Sequence, residues 1–179
     1  MRRAPLDIRI QGFTLVELLV SIAIVGILLA WAMPNFSALF ERARVRGVGE
    51  EFASVLKLAR SEAMLNNNTV FIQVDPGADG STWCWGVNTG AACNCTVAGA
   101  CLVRGQERRN TSVQFSRISM TTATGAAFSM SIDGRGLVAG NNWVQFESGT
   151  TEGRVGMTVV GRVRTCSGTL TGWLPMKEC

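Results

Sequence analysis

A run of residues near the N-terminus, positions 13–33, is almost entirely apolar and holds a single charged residue, Glu17. As an α-helix this run would extend about 30 Å, close to the hydrocarbon thickness of a lipid bilayer. A secretory signal peptide has a shorter apolar core followed by small residues at its cleavage site, and this run has neither feature. The sequence therefore predicts an apolar helix that is retained in the mature protein.

The residues around Glu17 narrow this interpretation. A short basic leader ends in Gly12, an aromatic residue follows at Phe13, and Glu17 lies four positions further on. This order resembles the class III signal of type IV prepilins and pseudopilins. The resemblance implies cleavage after Gly12 by a prepilin peptidase and N-methylation of Phe13. It also implies that Glu17 faces the cationic N-terminus of a neighbouring pilin subunit, where opposite charges in an apolar setting stabilise each other.

The charges and cysteines predict where the rest of the chain resides. Arg2, Arg3 and Arg9 favour a cytoplasmic N-terminus. All six cysteines lie C-terminal to the apolar run, and an even number of cysteines in an exported domain is typical of disulfides. We therefore expect a single-pass protein of the bacterial inner membrane with a periplasmic head, which becomes part of a pilus after assembly.

An amphipathic pattern follows the apolar run. Pro34 lies at the junction, where a proline predicts a kink or a local break. Beyond it, apolar residues recur three and four positions apart, as on one face of a helix, until Asn66-Asn67-Asn68 ends the pattern. We expect one long helix over about 13–65, its second half packed under a sheet.

The remaining sequence has the alternation of β-strands, with many of the 20 glycines between the runs. Asp133-Gly134-Arg135-Gly136 predicts a turn, and residues 75–110 are expected to be rich in loops. The predicted strands are Thr69–Val74, Val113–Ile118, Ala127–Ile132, Leu137–Val138, Trp143–Glu147 and a candidate over Arg154–Thr165. A helix packed on one or two antiparallel sheets, an α+β fold, is the expected architecture.

Two segments connect this architecture with a known family. Leu58–Ala63 resembles the ARSEA stretch of the FimT/GspH branch of pilin-like proteins, and Phe128–Gly136 resembles the middle strands of that branch. The resemblance implies a type IV pilin-like fold. The expected organisation is a leader peptide at 1–12, a transmembrane and filament-core half of the helix at 13–34, an amphipathic half at 35–65 and a disulfide-bonded head at 66–179.

Enzymatic and metal sites are not expected. The chain has no histidine, which excludes Ser-His and Cys-His catalytic pairs and zinc sites that use imidazole. The sequence has no nucleotide-binding loop and no paired-carboxylate motif. The cysteine spacings do not form paired Cys-x-x-Cys knuckles, so disulfides are favoured over a metal, and we expect neither a metal nor a cofactor.

Cysteine pairing stays partly open at this point. Cys93 and Cys95 are separated by one residue, and a disulfide between them would be sterically poor. The expected pairs are Cys84 with one of Cys93, Cys95 or Cys101, and Cys166 with Cys179.

The best candidate for a binding function is Gly161-Arg162-Val163-Arg164. On a strand, Arg162 and Arg164 would project from the same face about 6–7 Å apart, a spacing suited to successive phosphates. Gly161 would let a partner approach the backbone closely, and Arg154 would join the patch if the strand is continuous. The segment resembles the GRxR motif of FimT-type minor pilins, which is implicated in capturing DNA for natural transformation.

The sequence offers further candidates for the same role. Arg104, Arg108 and Arg109 form a second basic cluster on a loop. Trp143 and Trp173 could stack on exposed bases, although core packing is favoured for both.

Two functions of different classes follow. The first is a FimT-like minor pilin that joins a type IV pilus and binds double-stranded DNA without sequence preference. The alternative is a purely structural subunit, either a minor pilin that primes assembly or a GspH-like pseudopilin of a type II secretion system. The net charge of +4 is too small to decide between them, because bulk charge alone does not identify a DNA-binding protein.

Overall fold

The computed structural model describes residues 14–140, 143–167 and 177–178. The chain divides into two compact units, one up to Ala38 and one from Leu39 onward. The regular elements are α1 Leu15–Asn66, β1 Val70–Asp75, β2 Cys84–Thr89, β3 Leu102–Val103, β4 Gln106–Glu107, β5 Arg109–Thr111, a 3-10 turn Ser112–Gln114, β6 Ser119–Thr122, β7 Phe128–Ile132, β8 Val138–Ala139, β9 Trp143–Ser148, β10 Thr151–Met157, β11 Val163–Ser167 and β12 Lys177–Glu178.

In the N-terminal unit, α1 begins directly after Thr14. The Thr14 hydroxyl accepts a hydrogen bond from the backbone N–H of Glu17 at 3.2 Å, which is the interaction of an N-cap residue. Large apolar side chains from Leu15 to Leu29 are exposed. In the part of the chain that the structure describes, no helix has an apolar stretch long enough to cross a membrane.

The helix is continuous from Leu15 to Asn66, so the local break considered at Pro34 does not occur. A single proline removes one backbone hydrogen bond, and the flanking turns keep the helical conformation here.

In the C-terminal unit, α1 packs on antiparallel sheets, as expected for an α+β pilin-like fold, and the pair β11–β12 is the parallel exception among the described strands. Within the described residues one five-stranded sheet has the order β5-β2-β1-β7-β8 and another has the order β12-β11-β10-β9-β6. Strands β3 and β4 form a small hairpin. The helix buries one face, which consists of Val45, Val48, Phe52, Leu56, Ala59 and Ala63.

Glycines allow the helix to lie close to the second sheet. A Cβ at Gly49 on α1 would lie 3.3 Å from Val155, and one at Gly153 on β10 would lie 2.8 Å from Val45. A side chain at Gly153 would push the helix and β10 apart, and one at Gly49 would press on Val155. The helix therefore fixes the position of β10, and through it the position of the neighbouring strands.

Aromatic side chains fill the core between the elements. The rings of Trp83 and Trp85 are stacked, with centroids 4.9 Å apart and an interplanar angle of 9°. Both tryptophans are buried, and Trp83 Nε1 donates a hydrogen bond to the carbonyl oxygen of Ile118 at 2.9 Å. A buried indole N–H is stabilised by such a partner, so this bond helps to fix the loop before β6.

The structure differs from the predicted strands of the head at two segments before β6. The predicted strand Val113–Ile118 is instead a 3-10 turn followed by a bend, because Gln114 accepts a hydrogen bond from the N–H of Thr111 and Arg117 has a positive φ of 62°. Residues 75–110 are rich in loops as expected, but they also contain β2, a strand that was not predicted and that pairs along its length with β1 of the first sheet. Its sequence, CWGVNT, lacks the alternation by which a strand is recognised.

The cysteines form disulfides. Cys84 is bonded to Cys95 with Cα atoms 5.7 Å apart, and Cys93 is bonded to Cys101 with Cα atoms 5.2 Å apart. Of the three expected alternatives, Cys93, Cys95 and Cys101, the partner of Cys84 is therefore Cys95. Cys166 is also disulfide-bonded, whereas Cys179 lies outside the described residues, so the pairing of these two remains a prediction.

The Cys93–Cys101 disulfide lies against β2 at Gly86, where a Cβ would overlap Cys101 Sγ. We predict that Gly86→Ala lowers the free energy of unfolding by about 1–3 kcal/mol, because the overlap forces the disulfide or the strand to move. Denaturant unfolding of the oxidised protein measures this change. The matched control is Gly47→Ala, at a helical glycine with nothing within 4 Å, which is expected to stabilise by about 0.5–1 kcal/mol. An unchanged stability of Gly86→Ala would contradict this packing.

Candidate nucleic-acid interface

The segment that carries the basic motif is a hairpin. Strand β10 ends at Met157 and β11 begins at Val163, and they pair antiparallel. Between them, Thr158 N–H donates to Arg162 O at 2.9 Å, and Gly161 N–H donates to Thr158 O at 2.7 Å. The strand predicted over Arg154–Thr165 is therefore wrong in its middle, because the chain turns back there.

Gly161 allows this turn. Its φ of +74° is in the left-handed region that favours glycine, and it is buried. A Cβ at this position would overlap the carbonyl oxygen of Gly136 and lie 2.6 Å from Arg60 Nε. The space beside Gly161 is thus filled by the chain itself, so a partner cannot approach the Gly161 backbone closely from this side as was expected.

The hairpin brings Arg154 and Arg164 together across two strands. Arg154 pairs with Cys166 and Gly156 pairs with Arg164, which places both arginines on the same face of the sheet. They line one shallow pocket of about 310 Å³. Arg154 therefore lies beside Arg164 because β10 and β11 pair. The single continuous strand that was expected to bring Arg154 to this patch is absent.

Trp143 completes this pocket. It lies opposite Gly156 on β9, and the guanidinium carbon of Arg154 is 5.1 Å from the centroid of its ring. Arg154 Nε also donates a hydrogen bond to Gln145 Oε1 on β9, which holds the guanidinium over the sheet. Trp143 is half-buried on the outer face, so the core position favoured for it is wrong. Trp173 lies outside the described residues. We call Trp143, Arg154 and Arg164 the outer pocket.

Arg162 faces a different groove. It lies before the first residue of β11 and lines a groove of about 650 Å³ together with Lys57 and Arg60 of α1. We call Lys57, Arg60 and Arg162 the helix groove. Arg162 and Arg164 are both exposed, but they do not line a common pocket as the expected spacing on one strand implied.

A second turn supports the hairpin turn. Asp133, at the end of β7, accepts hydrogen bonds from the N–H groups of Leu137 at 2.8 Å and Arg135 at 3.0 Å. The Leu137 N–H, together with Arg135, lowers the pKa of the Asp133 carboxyl from its ordinary value of 3.8. Strand β8 connects this turn to the hairpin turn, because Val138 N–H donates a hydrogen bond to Val159 O at 2.9 Å.

The second basic cluster is largely engaged in structural contacts. Arg104 forms an ion pair with the buried Glu62 at 2.8 Å. Arg109 donates hydrogen bonds to the carbonyl oxygens of Cys95 and Thr96. Arg108 contacts Gln106, so these side chains mainly tie the loop to the head.

The predicted maturation residues lie in the N-terminal unit. Glu17 is exposed on the first turn of α1, and Gly12 and Phe13 are outside the described residues. Within residues 14–140, 143–167 and 177–178, no three His, Cys, Asp or Glu side chains come together as a metal site would require.

Two family models match the chain, one in each unit. Residues 8–33 match the model of the prokaryotic N-terminal methylation motif. Residues 48–173 match the model of the type II transport protein GspH, which is more than half of the chain.

The chain is also similar to individual proteins. The chain is 32% identical over 108 residues to the type IV narrow pilus major component PilA5 of Thermus thermophilus, and the alignment covers 56% of this chain and 93% of that protein. Two crystal forms of the type IV minor pilin FimU of Pseudomonas aeruginosa are 17% identical, with TM-scores of 0.48 and 0.45; they cover 70% and 67% of this chain and 90% of their own.

A methylation motif, a long N-terminal helix and an antiparallel β head together define a type IV pilin-like protein. Among these, the chain belongs to the GspH family.

The contact between the two turns is testable. We predict that Gly161→Ala destabilises the head by about 2–4 kcal/mol, because it adds left-handed strain of about 1–2 kcal/mol to an overlap with the Gly136 carbonyl oxygen. Gly90→Ala is the matched control, since Gly90 has a φ of +85° but nothing within 4 Å, and it should show the strain alone. Denaturant midpoints of the two variants decide the question; equal losses would mean that the turns do not touch.

Proposed function

We propose that this chain is a FimT-like minor pilin that joins a type IV pilus and binds double-stranded DNA during natural transformation. The observation that carries the proposal is the outer pocket, where Arg154 of β10, Arg164 of β11 and the half-buried Trp143 of β9 line one face of the sheet. Guanidinium groups suit phosphate oxygens, and the indole offers an apolar surface beside them.

Such a site binds the DNA backbone without reading its sequence. Each subunit supplies few phosphate contacts, so its affinity is weak and falls steeply with salt. Several subunits along one filament would raise the overall affinity through multivalency.

The proposal includes a route into the filament. A prepilin peptidase cleaves after Gly12, Phe13 becomes the methylated N-terminus, and the chain stays in the inner membrane with its head in the periplasm until assembly. In the filament, Glu17 pairs with the N-terminus of a neighbouring pilin subunit. The exposed apolar side chains of α1 from Leu15 to Leu29 support this route, because they need an apolar environment supplied by lipid or by other subunits.

The alternative is a structural subunit without DNA binding, either a minor pilin that primes assembly or a pseudopilin of a type II secretion system. The family match to a type II transport protein favours the secretion system, whereas the similarity to a type IV pilus component favours the pilus. Neither function requires catalysis, and we propose no enzymatic activity.

The DNA-binding part is tested on the head, residues 39–179, which forms a compact unit with its own core. We expect the oxidised head to retard a labelled DNA duplex at about 50 mM salt and to lose much of this binding by about 200 mM. Arg162→Gln/Arg164→Gln should abolish retardation, because it removes one cation from the outer pocket and one from the helix groove.

The matched control is Arg108→Gln/Arg117→Gln, which removes the same charge from exposed positions outside both sites. It should bind as the wild type does. Absence of retardation by the wild-type head at low salt would leave the structural alternative.

The assembly part is tested in cells. We predict that the mature chain begins at Phe13 by mass spectrometry, and that Glu17→Gln is cleaved normally but is depleted from sheared filaments, because a neutral side chain cannot pair with a cationic N-terminus. Glu51→Gln, at another exposed position of α1, is the control and should enter filaments at the wild-type level. Normal incorporation of Glu17→Gln would refute the role given to this carboxylate.

A further inference from the structure

The helix groove contains two cations that the Gly161–Arg164 motif does not include. Lys57 and Arg60 lie three positions apart on α1, so both project toward the same side of the helix. On the opposite side of the groove, the hairpin turn contributes Arg162. The groove therefore combines cations from two elements that are far apart in sequence.

The eight described residues that line this groove include no carboxylate. Like charges at three-residue spacing on a helix repel each other, and Arg162 adds a third positive charge to the same space. Lys57 and Arg162 are exposed, so both can meet a ligand from solvent. An arrangement of this kind is stabilised by a bound polyanion.

Arg60 is held in place by the two turns. A Cβ at Gly136 would lie 3.0 Å from Arg60 Nε, and one at Gly161 would lie 2.9 Å from its guanidinium carbon. Arg60 Nε is buried and has no hydrogen-bond partner among the described residues. The turns thus fix the guanidinium at the base of the groove without neutralising it.

The groove is adjacent to the outer pocket. Arg162 and Arg164 are separated by one residue, and two residues along an extended chain span about 6.6 Å. One lines the helix groove and the other lines the outer pocket. A polyanion that lies across the start of β11 can therefore contact both sites.

We propose that the helix groove is a second phosphate-binding site for the same DNA duplex, with Lys57 and Arg60 as binding residues beside Arg162. The inference rests on the proposed function, and it divides the motif into two parts. Arg164 acts with Trp143 and Arg154, whereas Arg162 acts with the helix.

Lys57 gives the cleanest test because it is exposed. The full chain in neutral detergent is titrated into a fluorescent duplex at several salt concentrations. Lys57→Gln should weaken binding about two- to fivefold, the range that exposed ion pairs give. It should also reduce the salt slope by about 0.9, the value for one lost phosphate contact. Lys57→Arg, which keeps the charge, should bind within about twofold of wild type.

Arg117→Gln is the matched control, because it removes one exposed cation next to β6, at the other side of the sheet from β11. If Lys57→Gln and Arg117→Gln bind the duplex equally well while Arg164→Gln binds it weakly, the helix groove is not a phosphate-binding site and the proposed function stands. If the wild type does not bind, the proposed function itself fails. Arg60→Gln is included only if its melting temperature matches that of the wild type, and it should then lose as much affinity as Lys57→Gln.

Discussion

The position of Phe52 is the constraint on which the head depends. This one helical side chain contacts Trp85 of the first sheet and Phe146 of the second, with ring centroids 5.1 and 5.8 Å away. Trp85 and Phe146 also touch each other, at 5.7 Å. The helix and the two sheets therefore meet around one aromatic cluster, and burial of these rings contributes a large share of the free energy that holds the three elements together.

The surface sites follow from that packing. Because Gly49 and Gly153 let α1 lie close to β10, the hairpin that begins with β10 is held beside the C-terminal turns of the helix. The turn at Gly161 then places Arg162 in the groove beside the helix and Arg164 in the outer pocket. Two arginines that are separated by one residue in the sequence therefore line two different surface depressions.

Local patterns were sufficient where neighbouring residues decide the structure. The apolar run and the amphipathic period after it together predicted a helix over about 13–65, and the structure has one from Leu15 to Asn66. The alternation predicted β1, β7 and β9 within one or two residues. The pattern failed at β2, because its burial comes from packing against the helix, the neighbouring strands and a disulfide, which its own sequence does not reveal.

By itself the sequence determined the family, the long helix, the α+β class and the presence of a basic motif, since each is encoded in contiguous residues. The tertiary structure alone decided which residues share a site. Arg154 meets Arg164 and Trp143 through strand register, and Arg162 meets Lys57 and Arg60 through a turn with Gly161 in the left-handed region. Such neighbours are fixed by contacts between distant segments, and spacing along the chain carries no record of them.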